Sequence, residues 1–451
     1  MDFQGRKVAV VGLASSGLAA AELLVSQGAA VIAVDAKPLE QLPGAAQALA
    51  RMGVPFRPQS PEALAGAECV VISPGVPAGL EILDEARRRG VPVIGEVELA
   101  FRFLQGEIIG ITGSNGKTTT TALVGHLLQQ CGIPAQVGGN IGTVPASAMV
   151  RSSRPGQWNV LELSSFQLET IQRFRARIGV ALNVTEDHLD RHGSFECYAA
   201  AKARLFENQT AEDWAVLNAD DPVTRGYATM TAARTLWFSL TRRVEPGAWL
   251  EQGILMLGGE PLLPASDVPL RGRHNLENIL AASLAAFLAG APASGIAAAI
   301  RTFRAVEHRL EYVDTIRGVA YYNDSKATNV SSAVKAVEAL QGPLWIILGG
   351  KDKGGSYAPL AEALRNKARA ALLIGQAAPL IARALEGLMP VVPCGTLEAA
   401  VAFAAENARP GDTVLLAPAC ASFDQFEDYQ HRGRVFKQLV ARLAGEAGGR
   451  E

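Results

Sequence analysis

The sequence predicts an α/β protein of three domains. Short apolar strands alternate with helical stretches along most of the chain, beginning with Lys7–Val11 and Leu18–Gln27, and this alternation is typical of parallel sheets covered by helices. The 451 residues fit three domains at about 150 residues each. Hydrophobic residues make up 49% of the chain, so each domain can bury a core of its own.

The first predicted domain covers residues 1–97. Its opening strand runs into Gly12-Leu-Ala-Ser-Ser-Gly17, and its second strand ends at Asp35. This order is close to a dinucleotide-binding turn, but Ala14 stands where the middle glycine belongs. A nicotinamide cofactor is therefore compatible with the turn but not favoured. A later strand ends in the rigid turn Ser73–Pro77, and ordinary strand-to-helix turns remain an alternative interpretation of both loops.

The second predicted domain, residues 98–304, contains the most informative stretch of the chain. Gly110-Ile-Thr-Gly-Ser-Asn-Gly-Lys-Thr-Thr-Thr-Thr121 lies between an apolar run and a helical pattern. A strand, glycine loop and helix in this order make an anion site from backbone N–H groups. Lys117 would add a positive charge beside the β- and γ-phosphates of a nucleotide, and the Thr118 hydroxyl could bind Mg²⁺. Ile111 replaces the first glycine of the strict pattern, and a glycine-rich turn with a solvated lysine is the alternative.

Other strands and helices of this domain deliver polar groups that could join the same site. Glu162 ends one strand and is a candidate Mg²⁺ ligand, and His188 follows the next strand as a candidate second ligand. Histidine is an unusual ligand for Mg²⁺, so a satisfied buried carboxylate and a turn histidine remain alternatives. Lys202 shares a helix face with Tyr198, and by its spacing alone it reads as a solvated lysine.

The end of the second domain and the third domain, residues 305–451, continue the pattern. The uncharged stretch Ile279–Ile300 is interrupted by glycine and proline, which predicts two buried helices rather than a membrane span. Asn275 and Asn278 project from one helix face and are suited to hydrogen bonding with a nucleobase. Strands of the third domain end in basic and hydroxyl side chains, as in a second doubly wound sheet.

Composition excludes several classes of function. The formal net charge is −2, which gives no reason to expect nucleic acid or an acidic membrane as partner. No secretory signal is evident at the N-terminus. The cysteines are scattered without a C-x-x-C pair, which argues against a disulfide framework or a zinc site and predicts a cytoplasmic protein. They are Cys69, Cys131, Cys197, Cys394 and Cys420.

Several motifs occur in an order that resembles the Mur ligase family of bacterial cell-wall synthesis. These motifs are Thr112–Thr118, Asn183–Asp190, His274–Asn278, His308-Arg309 and Asn323–Asn329. Two further stretches, Leu161–Glu169 and Pro418–Ser422, resemble the member of the family that adds D-glutamate to UDP-N-acetylmuramoyl-L-alanine. The resemblance covers most of the chain, and the set of motifs is far more specific than any one of them.

The resemblance implies a fold and a reaction. The fold is a Rossmann-like uridine-binding domain, a central phosphate-loop ATPase domain and a Rossmann-like C-terminal domain, and a uridine site need not keep the glycine that Ala14 replaces. The reaction uses ATP and Mg²⁺, with two ions expected. The substrate carboxylate attacks the γ-phosphate, and the amine of D-glutamate then displaces phosphate from the acyl phosphate. The transferred phosphoryl group needs cations around it.

The resemblance also assigns roles to individual residues. The implied catalytic residues are Lys117, His188, Lys202 and Arg309. The implied metal ligands are Thr118, Glu162, His188 and Lys202, the last as a carbamate. The implied ATP-binding residues are Gly113, Ser114, Asn115, Gly116, Lys117, Thr118, Thr119, Asn275, Asn278, Arg309 and Asp324. The implied UDP-substrate residues are Ser16, Asp35, Lys37, Ser73, Gly75 and Asn140. The implied D-glutamate residues are Lys326, Thr328, Lys353, Ser422 and Tyr429.

Two of these positions depart from the family pattern. Tyr429 replaces an expected phenylalanine, and Lys37 replaces an expected arginine, a change that is not conservative at a bidentate phosphate contact. The expected partners are small-molecule substrates, with the chain acting as a monomer. A different Mur ligase and a folylpolyglutamate-type ligase are alternatives, although the latter has no uridine domain to match residues 1–97. A nucleotide-dependent switch is a third alternative, on which the polar residues of the third domain would be superfluous.

Overall fold

A computed structural model describes residues 3–141, 144–270, 272–304 and 306–448. The strands form three sheets that follow one another along the chain, and each is predominantly parallel. The predicted α/β class is therefore confirmed. The domain limits at residues 97 and 304 remain predictions, and Ala305, the first residue of the predicted third domain, lies outside the described residues.

The first sheet is entirely parallel and has the strand order β3-β2-β1-β4-β5. Its strands are β1 Lys7–Val11, β2 Ala30–Asp35, β3 Phe56–Pro58, β4 Cys69–Ile72 and β5 Val93–Gly95. Its helices are α1 Ser15–Ser26, α2 Pro43–Met52, α3 Glu81–Arg88 and α4 Glu96–Phe101. The chain reverses its direction across the sheet between β1 and β4, and an open α/β sheet has its ligand crevice at such a point.

The second sheet has the strand order β14-β13-β12-β11-β10-β9-β6-β8-β7. Its strands are β6 Glu107–Thr112, β7 Ala135–Gly139, β8 Trp158–Glu162, β9 Ile178–Ala181, β10 Trp214–Asn218, β11 Arg234–Ser239, β12 Gly247–Glu251, β13 Ile254–Leu257 and β14 Glu260–Pro264. Strand β13 pairs with β12 on one side and with β14 on the other, and both pairings are antiparallel. Strand β6 lies between β8 and β9 in parallel register, with Ile111 opposite Glu162. The loop after β6 and the end of β8 therefore meet at one edge of the sheet.

Helices alternate with these strands along the same part of the chain. They are α5 Lys117–Gln130, α6 Ala146–Met149, α7 Ser165–Leu168, α8 Leu189–His192, α9 Phe195–Ala203, α10 Pro222–Tyr227, α11 Arg273–Leu288 and α12 Ala293–Thr302. The stretch Ile279–Ile300 is divided between α11 and α12, as predicted. No helix among the described residues has the length and apolar character needed to cross a membrane.

The third sheet has the order β15-β16-β20-β17-β18-β19, with only β15 antiparallel. Its strands are β15 Glu311–Ile316, β16 Val319–Asn323, β17 Leu344–Gly349, β18 Ala368–Ile374, β19 Val391–Gly395 and β20 Thr413–Leu416. Its helices are α13 Val330–Ala339, α14 Ala358–Leu364, α15 Ala378–Ala384, α16 Leu397–Asn407 and α17 Tyr429–Gly448. Apolar clusters cover both faces of this sheet, which explains its continuous hydrophobic strands.

The sequence pattern from Glu98 to Gln105 predicts a helix that links the first domain to the phosphate-loop domain. Helix α4 differs from this prediction. It begins two residues earlier and ends at Phe101. The chain turns at Gly106 before it enters β6. Gly106 adopts φ +81°, and a Cβ there would collide with the backbone of Gln157, so this turn requires glycine. Residues 102–105 therefore lead into this turn and do not continue the helix.

Two compact units divide the described chain. One is drawn from Met1–Val184, Glu196–Asp267 and Glu277–Arg301, and it contains the first two sheets. The other is drawn from Thr185–Phe195, Val268–Leu276 and Thr302–Glu451, and it contains the third sheet.

Candidate active site

The loop between β6 and α5 has a backbone that only glycine accommodates at two positions. Gly113 adopts φ +153°, and a Cβ on it would lie 3.0 Å from the Cβ of Leu182. Gly116 adopts φ +85°, and a Cβ there would collide with the side-chain amide of Asn278. Helix α5 begins directly afterwards at Lys117. The loop therefore presents backbone N–H groups at a helix N-terminus, where an anion is favoured.

Two lysines converge on this loop. Lys117 Nζ donates to the carbonyl oxygens of Gly113 (2.8 Å) and Ser114 (2.9 Å). Lys202 Nζ, from α9, donates to the same Gly113 oxygen at 2.8 Å. Two ammonium groups on one carbonyl oxygen repel each other unless an anion lies nearby. The arrangement is suited to the negative charge of a polyphosphate.

Lys202 is buried, not solvated as its spacing alone suggests. Only 1% of its surface is exposed, and its ammonium group lies 4.5 Å from the centre of the Tyr198 ring. The Tyr198 hydroxyl is in turn 3.0 Å from the Ser114 hydroxyl. The helix face that carries Tyr198 and Lys202 therefore packs against the phosphate loop.

Thr118 and Glu162 each have a buried side-chain oxygen without a hydrogen-bond partner. These atoms are Thr118 Oγ1 and Glu162 Oε2. The other carboxylate oxygen of Glu162 accepts a 2.8 Å hydrogen bond from the Asn140 amide. Leaving a buried carboxylate oxygen unpaired is costly. A hydroxyl and a carboxylate are oxygen ligands of the kind that Mg²⁺ prefers, so these residues fit a magnesium ion.

Asn183 fixes the phosphate loop and was not among the candidate residues from the sequence. Its Oδ1 accepts from the backbone N–H of Asn115 at 2.9 Å, and its Nδ2 donates to the backbone oxygen of Asn115 at 3.1 Å. The backbone oxygen of Asn183 accepts from the N–H of Ser114 at 2.8 Å. Asn183 follows β9 and binds the loop much as a neighbouring strand would.

The first sheet carries a cavity of about 500 Å³ at the carboxyl ends of its strands. All six candidate UDP-substrate residues line it, together with Gln59 and Gln167, which the sequence analysis did not single out. The six are Ser16, Asp35, Lys37, Ser73, Gly75 and Asn140. The two oxygens of Asp35 accept from the backbone N–H groups of Leu13 and Lys37, at 2.8 and 2.9 Å. The Asp35 carboxylate therefore shapes the rim of this cavity.

In the second unit, His188 precedes α8 in a left-handed conformation, with φ +54°. Its Nε2 lies 3.7 Å from Oδ2 of Asp187, and about one third of its side chain is exposed. Asp187, another residue not predicted as part of the site, also accepts from Asn329 at 2.8 Å and from Lys353 at 3.4 Å. Asp187 therefore links a candidate metal ligand to a candidate D-glutamate residue.

Arg309 and Asp324, in the same unit, each have a buried side-chain atom without a hydrogen-bond partner. Arg309 lies between His308 and Leu310, which both adopt positive φ, and such strain concentrates at functional sites. Arg309 Nε and Asp324 Oδ1 are buried without hydrogen-bond partners. Burial raises the pKa of Asp324 to about 6, while the charge of Arg309 opposes the rise. Both atoms are available to a polar ligand.

Four of the candidate D-glutamate residues lie on three loops of the third sheet, and Tyr429 is the first residue of α17. Lys326 Nζ donates to the Tyr429 hydroxyl at 2.8 Å and lies 4.0 Å from the centre of its ring. Lys353 Nζ lies 3.4 Å from the Thr328 hydroxyl. Ser422 is buried and follows β20. The structure thus pairs Lys326 with Tyr429 and Thr328 with Lys353. Lysine and hydroxyl groups of this kind are suited to binding carboxylates.

Comparison with known proteins assigns all three sheets to described domain families. Residues 6–95 match the model for the "Mur ligase MurD-like, N-terminal domain". Residues 111–286 match the "Mur ligase middle domain", and residues 308–420 match the "Mur ligase, glutamate ligase domain".

Similar sequences cover the whole chain. The chain is 59% identical to the UDP-N-acetylmuramoylalanine–D-glutamate ligase of Solibacter usitatus, over 98% of this chain and 99% of that protein. It is 50% identical to the ligase of the same name from Acidobacterium capsulatum, over 99% and 98%.

Solved structures share the fold at lower identity. The UDP-N-acetylmuramate-alanine ligase MurC of Thermotoga maritima matches with a TM-score of 0.63 and 19% identity, over 97% of this chain and 99% of that chain. A pseudomurein peptide ligase type C from Methanothermus fervidus matches with a TM-score of 0.60 and 18% identity, over 97% and 100%.

Proposed function

The chain belongs to the Mur ligase family, and from this premise we propose how it works as a ligase that adds D-glutamate to UDP-N-acetylmuramoyl-L-alanine in peptidoglycan precursor synthesis. The family resemblance read from the sequence motifs is confirmed, and the full-length relatives carry the name of this activity. Mur ligases use ATP and Mg²⁺. One observation above all supports ATP-driven chemistry here, the convergence of Lys117 and Lys202 on the phosphate loop.

The reaction joins a carboxylate to an amine in two steps. The alanyl carboxylate of the UDP substrate attacks the γ-phosphorus of ATP, a P–O bond to ADP breaks, and an acyl phosphate forms. The amine of D-glutamate then attacks the acyl carbon, loses a proton, and phosphate leaves. The first step brings two anions together, so its barrier depends on cations fixed in advance around the phosphoryl group.

Residues of the phosphate loop supply that environment. Lys117 exchanges its bonds to the loop carbonyls for the β- and γ-phosphates, while the backbone N–H groups of the loop hold the phosphate oxygens. Thr118 and Glu162 would hold one Mg²⁺, which would neutralise phosphate charge. His188 would serve a second metal ion.

Lys202 completes the metal site as a carbamate. In this modification the neutral amine adds to carbon dioxide and releases a proton, which replaces a cation by an anionic oxygen ligand. Lys202 is buried and donates to the same Gly113 carbonyl oxygen as Lys117, so a carbamate on Lys202 would lie at the phosphate loop.

The remaining residues bind the substrates. Asn275 and Asn278 meet the adenosine, Asp324 binds its ribose, and Arg309 contacts the γ-phosphate. The UDP-substrate residues are Ser16, Asp35, Lys37, Ser73, Gly75 and Asn140. The D-glutamate residues are Lys326, Thr328, Lys353, Ser422 and Tyr429. All partners on this proposal are small molecules made in the cytoplasm, where the chain works as a monomer.

Phosphate release tests the proposal directly. The chain is incubated with ATP, Mg²⁺, UDP-N-acetylmuramoyl-L-alanine and one amino acid at a time from a panel. We expect release with D-glutamate and not with L-lysine or diaminopimelate. Turnover with either of those and not with D-glutamate would identify a different Mur ligase. ATP binding without turnover for any amino acid would support the nucleotide-switch alternative.

A further inference from the structure

Three loops of the second unit carry all the residues assigned above to D-glutamate except Tyr429, and the backbone joins these loops in pairs. Lys351 and Ala421 exchange two backbone hydrogen bonds, of 2.9 and 3.0 Å. The N–H of Ala419 donates to the oxygen of Ala327 at 2.9 Å. Loop 418–422 therefore lies between loop 350–357 and loop 323–329, and its position is tied to both.

The tip of loop 350–357 has little packing of its own. Residues 354–356 are exposed, and Gly354 and Gly355 adopt φ +76° and +111°. Loops with so little buried surface are held mainly by hydrogen bonds. Lys353, which carries the candidate D-glutamate contact, lies immediately before this tip.

Tyr357 and Asp352 form hydrogen bonds that hold the tip. The Tyr357 hydroxyl donates to Asp352 Oδ1 at 2.6 Å, and the Asp352 Oδ2 accepts from the N–H of Gly354 at 3.1 Å. The Asp352 carboxylate precedes Lys353 and bonds Gly354, which follows it, so it constrains the backbone on both sides of Lys353. The Tyr357 ring is 8% exposed and belongs to the apolar cluster on one face of the third sheet, so its hydroxyl is a fixed anchor.

Cys420 connects this anchor to the neighbouring loop. Its sulfur lies 3.2 Å from the Tyr357 oxygen. Burial raises the pKa of the Cys420 thiol to about 11 and also raises the pKa of Tyr357, so both groups keep their protons at neutral pH. Because the Tyr357 hydroxyl donates its hydrogen bond to Asp352, the Cys420 thiol donates to the Tyr357 oxygen. One chain of hydrogen bonds then runs from Cys420 through Tyr357 to Asp352.

We propose that Tyr357, acting through Asp352 and Cys420, is a positioning residue for D-glutamate. It holds the Lys353 loop at a fixed distance from the loop that carries Ser422, so that the two contact one amino acid together. The inference rests on the proposed function for the identity of that amino acid. It assigns a role to a hydroxyl that touches no substrate, and Tyr357 is not among the candidate residues predicted from the sequence.

The test removes the hydroxyl and measures each substrate separately. In Tyr357→Phe the ring stays in the apolar cluster while the bonds to Asp352 and Cys420 are lost. We expect the KM for D-glutamate to rise about tenfold, as for the loss of one hydrogen bond to a charged group. The KM for ATP and for the UDP substrate should stay within about twofold, because a positional error in one loop affects only the ligand it holds.

Two further variants separate positioning from a general structural effect. Asp352→Asn keeps one acceptor oxygen for Tyr357 but no acceptor for the Gly354 N–H, so it should lose less affinity than Asp352→Ala, which breaks both bonds. The double variant Tyr357→Phe/Asp352→Ala should lose less than the sum of the two single losses, since the Tyr357–Asp352 bond is common to both. Tyr312→Phe is the matched control, because its hydroxyl bonds Thr315 on the exposed edge strand β15, and it should change no KM.

The outcomes distinguish this inference from the proposed function. Wild-type turnover with D-glutamate tests the function alone, and if another amino acid is the acceptor, its KM takes the place of that of D-glutamate in every comparison. Equal rises in all three KM values, an unchanged KM for the acceptor, or additive losses in the double variant would overturn the positioning role. Melting temperatures measured alongside show whether Tyr357→Phe has also loosened the fold.

Discussion

Lys202 illustrates how a single residue can be misread from its sequence context. It stands in the alanine-rich run Tyr198-Ala-Ala-Ala-Lys202, where a lysine at helical spacing is usually solvated, and no periodicity marks it as buried. In the structure it is enclosed by the phosphate loop and the Tyr198 ring. Burying an ammonium group costs several kcal/mol unless it is paired or neutralised, so a functional reason is needed to retain it. The family resemblance supplied that reason where spacing could not.

Removing the Lys202 side chain should abolish most activity. We expect Lys202→Ala to lose at least about tenfold to a hundredfold in kcat, as when a metal site loses part of its support. Short carboxylic acids should restore part of the activity, because a carboxylate can occupy the place of the carbamate. Lys7→Ala, at an exposed lysine at the start of β1, is the control. Full activity of Lys202→Ala without added acid would remove Lys202 from the metal site.

Asp324 should make stability depend on pH. Its pKa rises from 3.8 to about 6 on folding, so the folded state binds more protons than the unfolded state between these values. Stability then falls as pH rises from about 4 to 6 and levels off above, by about 1–3 kcal/mol. Asp324→Asn should remove this loss. The variant should be more stable than the wild type at pH 8, nearly equal to it at pH 4, and weaker in ATP binding.

Denaturant unfolding at several pH values measures the Asp324 effect. Asp267→Asn is a suitable control, since Asp267 forms an exposed ion pair with Arg301 and should change stability by less than about 1 kcal/mol. A wild type and an Asp324→Asn variant whose curves run parallel from pH 4 to 8 would contradict the assignment.

At the scale of strands and loops, the sequence predicted which segments meet but not how they are tied together. Buried strands followed by glycine or polar turns marked the phosphate loop, Glu162 and the rim of the UDP cavity, because parallel strands bring their carboxyl ends to one edge. Asn183 and Asp187 were missed, although both lie in a motif that was recognised. Their roles come from hydrogen bonds to residues far away in the sequence, and one-dimensional patterns carry no signal for such bonds.

The Asn183 side chain should matter to ATP alone. Asn183→Ala removes both bonds to the Asn115 backbone and leaves the loop held by its remaining contacts. We expect the KM for ATP to rise about tenfold, with the KM values of the other two substrates unchanged. Asn407→Ala is the control, because the Asn407 amide bonds only the preceding turn of α16 at an exposed site. An unchanged KM for ATP would show that the loop keeps its shape without Asn183.

At the scale of the whole molecule, the succession of three sheets could be predicted, and the grouping of the first two into one unit could not. Glu98 explains that grouping in part. One of its carboxylate oxygens accepts from the backbone N–H groups of Gln172, Arg173 and Phe174, all at 2.9 Å, and the other pairs with Arg102. A buried carboxylate with so many donors fixes α4 to the segment that leads into β9 of the second sheet. In the sequence, Glu98 is one acidic residue in a short helix, and no pattern predicts which groups it bonds.

The central claim is that the chain joins D-glutamate to its UDP substrate through an acyl phosphate. The most direct measurement uses UDP-N-acetylmuramoyl-L-alanine whose alanyl carboxylate carries a heavy oxygen isotope. In the presence of ATP, Mg²⁺ and D-glutamate, mass spectrometry of the released phosphate should find one labelled oxygen for each amide bond formed, because the attacking carboxylate oxygen leaves with the phosphate. Unlabelled phosphate accompanying amide formation would exclude the acyl phosphate, and phosphate release without any amide product would contradict the ligase assignment itself.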